Sequence, residues 1–339
     1  MSGIEDVAAR AEVSTATVSR ALSGRGHVSP ATRARVEEAA AELGYVVSAS
    51  ASSLASGRTR NVGVVIPFLN RWFFSTVIEG AQHALLAGGY DLTLYNLGRR
   101  GEQRLSVFEH FLLRRRVDAV IAVSLELTEK ETSHLLDIRK PIVGIGGPIP
   151  GVRTLSVDNI AVSRLATEHL LALGHRRIAH LGGDETYDHD FHQPTDRRVG
   201  YEAALQAAGI PVDPALYKTA RFTIQDGHRA ATELLTERRN RPTAIFAASD
   251  EMAFGALLAA RELGISVPRD LSVIGIDDHE LSAFFGLSTV AQFPALQGMK
   301  AVEILLEQLN PGRRKRTAVD SPLPYELIVR TSTAAPPSH

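Results

Sequence analysis

The 339-residue sequence contains no cysteine, only one tryptophan and almost no excess charge, with a formal net charge of −1. Without cysteine, disulfides and thiolate metal sites are excluded, as is usual in a reducing cytoplasm. No apolar run reaches the ~18 residues that a membrane-spanning helix needs, and no charged-then-apolar leader opens the chain. We therefore expect a cytoplasmic protein that neither spans a membrane nor is secreted.

Several enzyme signatures are also missing. The sequence has no Gly-x-x-x-x-Gly-Lys phosphate loop, no Gly-x-Ser-x-Gly nucleophile elbow and no His-Glu-x-x-His zinc pair. His169, His175 and His180 have a spacing that does not place them on one helical face, so they do not indicate a metal site. We expect a protein that is not an enzyme and has neither cofactor nor metal.

What the sequence does contain is a change of hydrophobic period near residue 60. Residues before it follow helical spacing, whereas from Asn61 onward apolar strand-like runs alternate with helical stretches. Alternating βα units predict parallel sheets covered on both faces, and so long a segment predicts two similar lobes. Ligands bind at the carboxyl ends of strands in open α/β sheets, which predicts a cleft for a small molecule between the lobes.

The amino-terminal segment has the pattern of a helix-turn-helix. A short helical pattern from Ile4 is followed by a turn at Glu12-Val13, and a second helix opens at Ser14, which can cap it. In that helix Val18 and Leu22 face the core, while the opposite face can reach DNA bases through Thr15, Ala16 and Arg20. The net charge of residues 1–60 gives little further support for DNA binding, since seven Arg and six acidic residues leave it at +1.

A third helix is predicted from Ser29 as N-cap, through Pro30, to Gly44 after its end. The next stretch, VVSASASSLASGRTR, is by composition a flexible Ser/Ala-rich linker.

Three strings resemble the amino-terminal pattern of the lactose/galactose repressor (LacI/GalR) family of bacterial transcription regulators: DVAARAEVSTATVSRALSG, VSPATRARVEEAAAELGY and ASSL. The resemblance implies an α/β protein with an all-α helix-turn-helix head (1–45), a hinge helix (46–60) and a type I periplasmic-binding-protein-like core (61–339). Lobe 1 would span about 61–160 and 292–320, and lobe 2 about 161–291 and 321–330.

The same resemblance implies a homodimeric, DNA-binding regulator, acting as a repressor under the control of a small-molecule effector in the cleft. Leu54 would be a wedge in the minor groove, with core packing as the alternative. The family positions that contact the DNA backbone or set the register are Ser14, Thr17, Ser23, His27, Ser29 and Thr32. A solute-binding protein shares the core but would lack the head.

The effector site implied by the resemblance lies at strand ends. Asp277 and Arg197 would bind ligand hydroxyls, and Phe222 would stack on the ligand; the remaining candidates are Phe73, Phe74, Asp158, Ser249 and Gln292. Simpler structural roles stay open, namely helix capping by Asp158 or by one of Asp277 and Asp278, and core packing by one of the two phenylalanines. A carbohydrate is the expected effector, with a purine or nucleoside as the alternative.

Three further features lie outside the family pattern or depart from it. Glu12 stands where relatives usually carry Gly or Asn, which predicts a positive φ there. The acidic loop 184–195 is interpreted as a solvated loop, with effector selection as the alternative. The tail TSTAAPPSH has no heptad repeat and is predicted to be a frayed end.

Overall fold

The computed structural model describes residues 3–23, 27–45, 57–98, 102–111, 116–125, 127–183, 192–237, 241–310 and 323–337. The chain separates into two compact units, residues 1–60 and 61–339. Leu54, the side chain of Ser23, most of the 46–60 segment and residues 184–191 of the acidic loop lie outside the described part.

The first unit is a three-helix head. Its helices are α1 (Ile4–Arg10), α2 (Thr15–Ser23) and α3 (Pro30–Glu42). Each helix contributes a fully buried valine, Val7, Val18 and Val36, to one small core. Burying one stripe of α2 in this way leaves its other face to solvent.

The second unit contains two sheets. In lobe 1 the sheet order is β2-β1-β3-β4-β5, with every pair parallel. Its strands are β1 (Asn61–Ile66), β2 (Asp91–Asn96), β3 (Ala119–Val123), β4 (Ile142–Ile145) and β5 (Arg153–Leu155). Its helices are α4 (Trp72–Ala87), α5 (Glu102–Ser106), which a π-helical turn (Val107–Phe111) extends, and α6 (Glu129–Asp137).

The lobe 2 sheet has the order β11-β10-β9-β8-β6-β7 and is parallel except for its edge strand β11. Its strands are β6 (Ile178–Gly183), β7 (Tyr217–Ala220), β8 (Ala244–Ala247), β9 (Ser272–Asp277), β10 (Ser288–Ala291) and β11 (Glu326–Ile328). Its helices are α7 (Asn159–Ala172), α8 (Gln193–Ala207), α9 (Ile224–Thr236) and α10 (Asp250–Glu262), with a short 3-10 turn (Pro214–Leu216).

The last helix, α11 (Pro294–Leu309), follows a strand of lobe 2 but packs against α4 of lobe 1. Glycines make this contact close, because a Cβ at Gly80 would lie 2.0 Å from the carbonyl oxygen of Ala295. A Cβ at Gly298 would lie 2.1 Å from the carbonyl oxygen of Val77. The close packing fixes α4, whose first turn carries Trp72 and Phe73.

The carboxyl-terminal tail is packed into lobe 2, so the prediction of a frayed end is wrong for residues 331–337. Ser332 is 3% exposed; its hydroxyl donates to the carbonyl of Val273 at 2.6 Å and accepts from the Ser288 amide at 2.8 Å. The His175 ring lies 2.8 Å from the Ala334 carbonyl oxygen. Small polar residues can thus satisfy backbone groups at the amino ends of interior strands, which composition alone does not reveal.

Replacing Ser332 with alanine is expected to lower the free energy of unfolding by about 1–3 kcal/mol, because the buried Ser288 amide loses its acceptor. Urea unfolding followed by circular dichroism measures the change. Thr331→Ala is the matched control, since Thr331 is exposed and its hydroxyl lies 3.5 Å from the nearest acceptor, the Gly286 carbonyl. Equal midpoints for the two variants would contradict the role given to Ser332.

Candidate functional site

The second helix of the head begins as the sequence predicts. The Ser14 hydroxyl accepts a hydrogen bond from the Thr17 amide at 3.2 Å and also lies 2.9 Å from the Thr17 hydroxyl. Ser29 caps α3 in the same way, accepting from the Thr32 amide at 3.1 Å. Both predicted N-caps are therefore confirmed.

The face of α2 opposite Val18 is open to solvent, and Thr15, Ala16 and Arg20 are all exposed there. The turn that orients this face has Glu12 at φ 53°, which confirms the predicted left-handed conformation. Ser14, His27 and Ser29 are exposed as well, and Thr17 and Thr32 are half-buried. The described head thus presents one short helix with its amino-terminal turn, hydroxyls and an arginine on an accessible face.

In the core, polar side chains collect at the carboxyl ends of the lobe 2 strands. Asp277 ends β9 at φ 132°, and its carboxylate accepts a hydrogen bond from the Gln292 side-chain amide. The backbone carbonyl of Gln292 accepts from the Gln297 side chain at 2.7 Å, which fixes the position of Gln292. Burial raises the pKa of Asp277 to about 8, and the nearby Asp250 carboxyl acts in the same direction.

Arg197 lies in the same region and is 1% exposed. Its Nε donates to the Asn159 side-chain oxygen at 3.1 Å, and Nη1 donates to the Ala248 carbonyl just after β8. Its positive charge partly offsets the burial that raises the pKa of Asp277. The helix that carries Arg197 begins at Gln193, and Pro194 fits its first turn.

Asp250 is the residue at this edge that the predicted site left out. Its buried carboxylate accepts from the hydroxyls of Thr289 and Ser282, both at 2.7 Å, and from the His279 amide at 2.9 Å. Burial raises its pKa to about 6 in spite of these three bonds. Its position three residues after β8, at the start of α10, was a sequence signal, but the three donors come from distant segments.

Other candidates have roles that local chemistry explains. Asp158 is exposed and caps α7, accepting from the Ala161 amide at 2.9 Å, and Ser249 caps α10, accepting from the Met252 amide at 3.3 Å. Phe74 is a core residue, whereas Phe73 is half-buried and meets Phe74 edge-on at 5.5 Å. Phe222 is half-buried at φ 55°, next to the end of β7.

The expectation that one of Asp277 and Asp278 caps a helix is wrong. Asp278 instead forms an ion pair with Arg330 at 2.7 Å, and its amide donates to the Thr289 hydroxyl at 3.3 Å. The partner lies near the end of the chain, so the pairing depends on the packed tail.

A stacked pair of rings, which the sequence does not predict, joins the lobes beside Asp277. Trp72 of lobe 1 and His279 of lobe 2 have ring centroids 4.7 Å apart and planes at 30°. Burial raises the pKa of Glu251 in lobe 2. The positive charge of Arg71, next to Trp72 in lobe 1, partly offsets this rise and so acts across the lobes.

Among the described residues, no group of three or more His, Cys, Asp or Glu side chains could hold a metal ion. The helices in the described part of the chain include none that is both long and apolar enough to cross a bilayer.

A three-helix head followed by a two-lobed α/β core with polar strand ends defines a regulator that couples a DNA-binding module to a ligand-binding module. Residues 3–48 match the family described as bacterial regulatory proteins, lacI family, and residues 167–333 match the periplasmic binding protein-like domain. The chain is 33% identical over 341 residues to the HTH-type transcriptional repressor CytR of Escherichia coli (strain K12), covering 98% of this chain and 97% of CytR.

Two solved structures are similar over almost the whole chain. The lac repressor dimer bound to operator and the anti-inducer ONPF has a TM-score of 0.84 and 28% identity, covering 98% of this chain and 99% of that one. The complex of the transcriptional regulator CelR with cellobiose has a TM-score of 0.71 and 32% identity, covering 98% and 100%. The protein belongs to the LacI family and is a transcription regulator rather than an enzyme.

Proposed function

We propose that the protein is a homodimeric, cytoplasmic repressor that binds operator DNA through its head and responds to a carbohydrate bound between its lobes. The exposed, Ser14-capped α2 carries the proposal, because Thr15, Ala16 and Arg20 are exposed on it, as residues of a recognition helix must be to reach base edges. The similarity to an operator-bound lac repressor over almost the whole chain supports it.

In the proposed complex Thr15, Ala16 and Arg20 read bases in the major groove, since an arginine can bond guanine through two parallel hydrogen bonds. Hydroxyls and a histidine around them contact phosphates and set the register. Those residues are Ser14, Thr17, Ser23, His27, Ser29 and Thr32, and Leu54 is the proposed minor-groove wedge.

Arg20→Ala tests this directly. It is expected to weaken binding to the selected operator by about 1–3 kcal/mol while binding to random DNA changes much less. An operator selected from a random pool and fluorescence anisotropy provide the measurement. Arg10→Ala is the control, because Arg10 is bound to Glu42 at 2.8 Å on the head. Equal losses on both DNAs would make Arg20 a phosphate contact instead.

The proposed effector site combines hydrogen-bonding and aromatic groups. Asp277, Arg197 and Gln292 can bond hydroxyls, and Phe73 and Phe222 supply aromatic faces for the apolar side of a sugar ring. Phe74, Asp158 and Ser249 belong to the supporting elements of this site. The cellobiose complex of a similar regulator supports a sugar. The two aromatic side chains suit a flat base equally well, which keeps a nucleoside as the second candidate.

A thermal-shift panel of mono- and disaccharides, nucleosides and purine bases distinguishes the two. A ligand present at 100 times its Kd stabilises the folded protein by ~2.7 kcal/mol, enough for a clear shift in Tm. A shift with sugars alone supports the carbohydrate assignment. A shift confined to nucleosides or bases would replace it with the second candidate.

The proposed dimer face lies on the loop between β9 and β10. Phe284 is 87% exposed, and Leu281 and Phe285 beside it are exposed too. Phe285 also lines a surface hollow with Leu257, Leu258 and Val267. So large an aromatic group in water marks an interaction surface, and the occupant proposed is a second copy, as in the similar lac repressor dimer.

A further inference from the structure

The stacked pair Trp72–His279 joins two lobes that otherwise have separate sheets. Trp72 is the first residue of α4, which packs in lobe 1, and His279 follows β9 of lobe 2. Their centroid separation of 4.7 Å and interplanar angle of 30° are those of a stacked aromatic pair. Domain opening about the connecting segments would have to separate these rings.

The lobe 2 half of the pair is held rigidly. The His279 amide donates to Asp250 at 2.9 Å, and the ring Nδ1 accepts from the Leu281 amide at 3.0 Å. Phe254 meets the ring edge-on at 5.3 Å, and the side chain is 9% exposed. A ring held by two contacts on a fixed backbone offers a fixed surface to its partner.

The lobe 1 half is also braced. The Trp72 carbonyl accepts from the hydroxyls of Ser75 and Thr76 at 2.9 and 2.8 Å, which tightens the first turn of α4. Arg71, the residue before it, lies over the Phe68 ring at 4.7 Å and acts electrostatically on Glu251 of lobe 2. Two consecutive residues of lobe 1 therefore interact with lobe 2.

We propose that the Trp72–His279 stack is a latch that holds the two lobes together before any effector binds. In the sequence, His279 of the latch lies two residues after Asp277 and two residues before Leu281 of the proposed dimer face. Its consequence for the effector rests on the proposed function. Because the latch favours the closed state before binding, a larger fraction of the protein is already in the state that an effector of the closed core would bind.

A stacked pair of this kind should change the open–closed equilibrium by roughly two- to tenfold. Apparent effector affinity should fall by up to the same factor when the stack is removed. The closed state is thus a property of this chain as well as of its ligand.

The test uses the ligand-free full-length protein and needs no knowledge of the effector. Trp72 is the only tryptophan, so acrylamide quenching reports its exposure alone. His279→Ala is expected to increase quenching of Trp72. His279→Phe keeps a stacking ring and is expected to show the lower quenching of the natural protein. His83→Ala is the matched control, because His83 is an exposed histidine on α4, the helix that begins with Trp72.

A second measurement reads the lobes themselves. The chain has no cysteine, so Gln82→Cys and Gln225→Cys, at exposed positions of lobe 1 and lobe 2, can carry spin labels. Labelled chains are diluted with unlabelled protein. His279→Ala and Trp72→Ala should broaden the distance distribution toward longer values, as pulsed electron resonance measures it.

Unchanged quenching and an unchanged distance in His279→Ala would overturn the latch. So would a His279→Phe variant that opens as far as the alanine variant, since the bond to Leu281 would then be responsible. If circular dichroism shows His279→Ala to be unfolded, Trp72→Ala and the distance measurement decide. Failure of every sugar in the thermal panel would remove the carbohydrate assignment and leave these ligand-free results standing.

Discussion

Phe284→Asp is expected to convert the proposed dimer into a monomer and to reduce operator affinity by roughly 10²- to 10⁴-fold. The side chain is 87% exposed in one chain, and a charge there would have to be desolvated when a second copy covers it. A monomer presents one head instead of two, so the second half-site is no longer bound intramolecularly.

Sedimentation velocity and operator titration measure the two effects. Leu136→Asp is the control, because Leu136 is also an exposed apolar residue, at 40%, but lies on α6 of lobe 1. A Phe284→Asp protein that sediments as a dimer and binds operator normally would place the dimer face elsewhere.

Asp277→Ala is expected to abolish the effector's thermal shift, because each ligand hydroxyl or buried partner left without its bond costs about 1–3 kcal/mol. Binding of operator without ligand should be retained, since residues 1–60 form a separate compact unit. Isothermal titration with the ligand found in the panel gives the comparison. Unchanged affinity would move the effector away from Asp277.

The isosteric Asp277→Asn variant adds a pH signature. Burial raises the pKa of Asp277 from 3.8 to about 8, so between these values the folded protein holds a proton that the unfolded chain releases. The contribution of this protonated carboxyl to the free energy of unfolding is therefore present in full below pH 3.8 and is lost as pH rises toward 8. Asparagine does not titrate, so the variant should gain stability relative to the natural protein between pH 5 and 8.

Denaturant unfolding across this range measures the effect. Asp91→Asn, at an exposed position of β2, is the matched control. The buried Asp250, whose pKa burial raises to about 6, contributes in the same direction in both proteins. If the free energy of unfolding varies with pH in the same way for Asp277→Asn and the natural chain, Asp277 is ionised throughout this range.

The local features of this fold could be predicted from the sequence because their causes are local. Ser14 and Ser29 bond amides three residues away, and the positive φ of Glu12 follows from a turn only a few residues long. The alternating βα pattern likewise predicts parallel sheets, since each unit carries its own hydrophobic period. The short edge strand β11 escaped prediction because three residues carry no period.

The contacts that organise the site could not be predicted, because they join distant segments. Asp250 is held by side chains or amides 29 to 39 residues away, and Arg330 reaches back 52 residues to Asp278. The Trp72–His279 stack connects the two lobes. A single sequence shows which residue types stand at strand ends, but not which of them meet.

The packed tail has a consequence for how the protein is made. In lobe 2 residues 331–337 pack against the amino ends of β9 and β10, and in lobe 1 α11 covers α4, so both lobes need residues 294–337. During synthesis the head can fold as soon as it leaves the ribosome, whereas the core must wait until residues 294–337 have been made. A message truncated before the codons for residues 294–337 would then yield a folded DNA-binding head attached to an incomplete core.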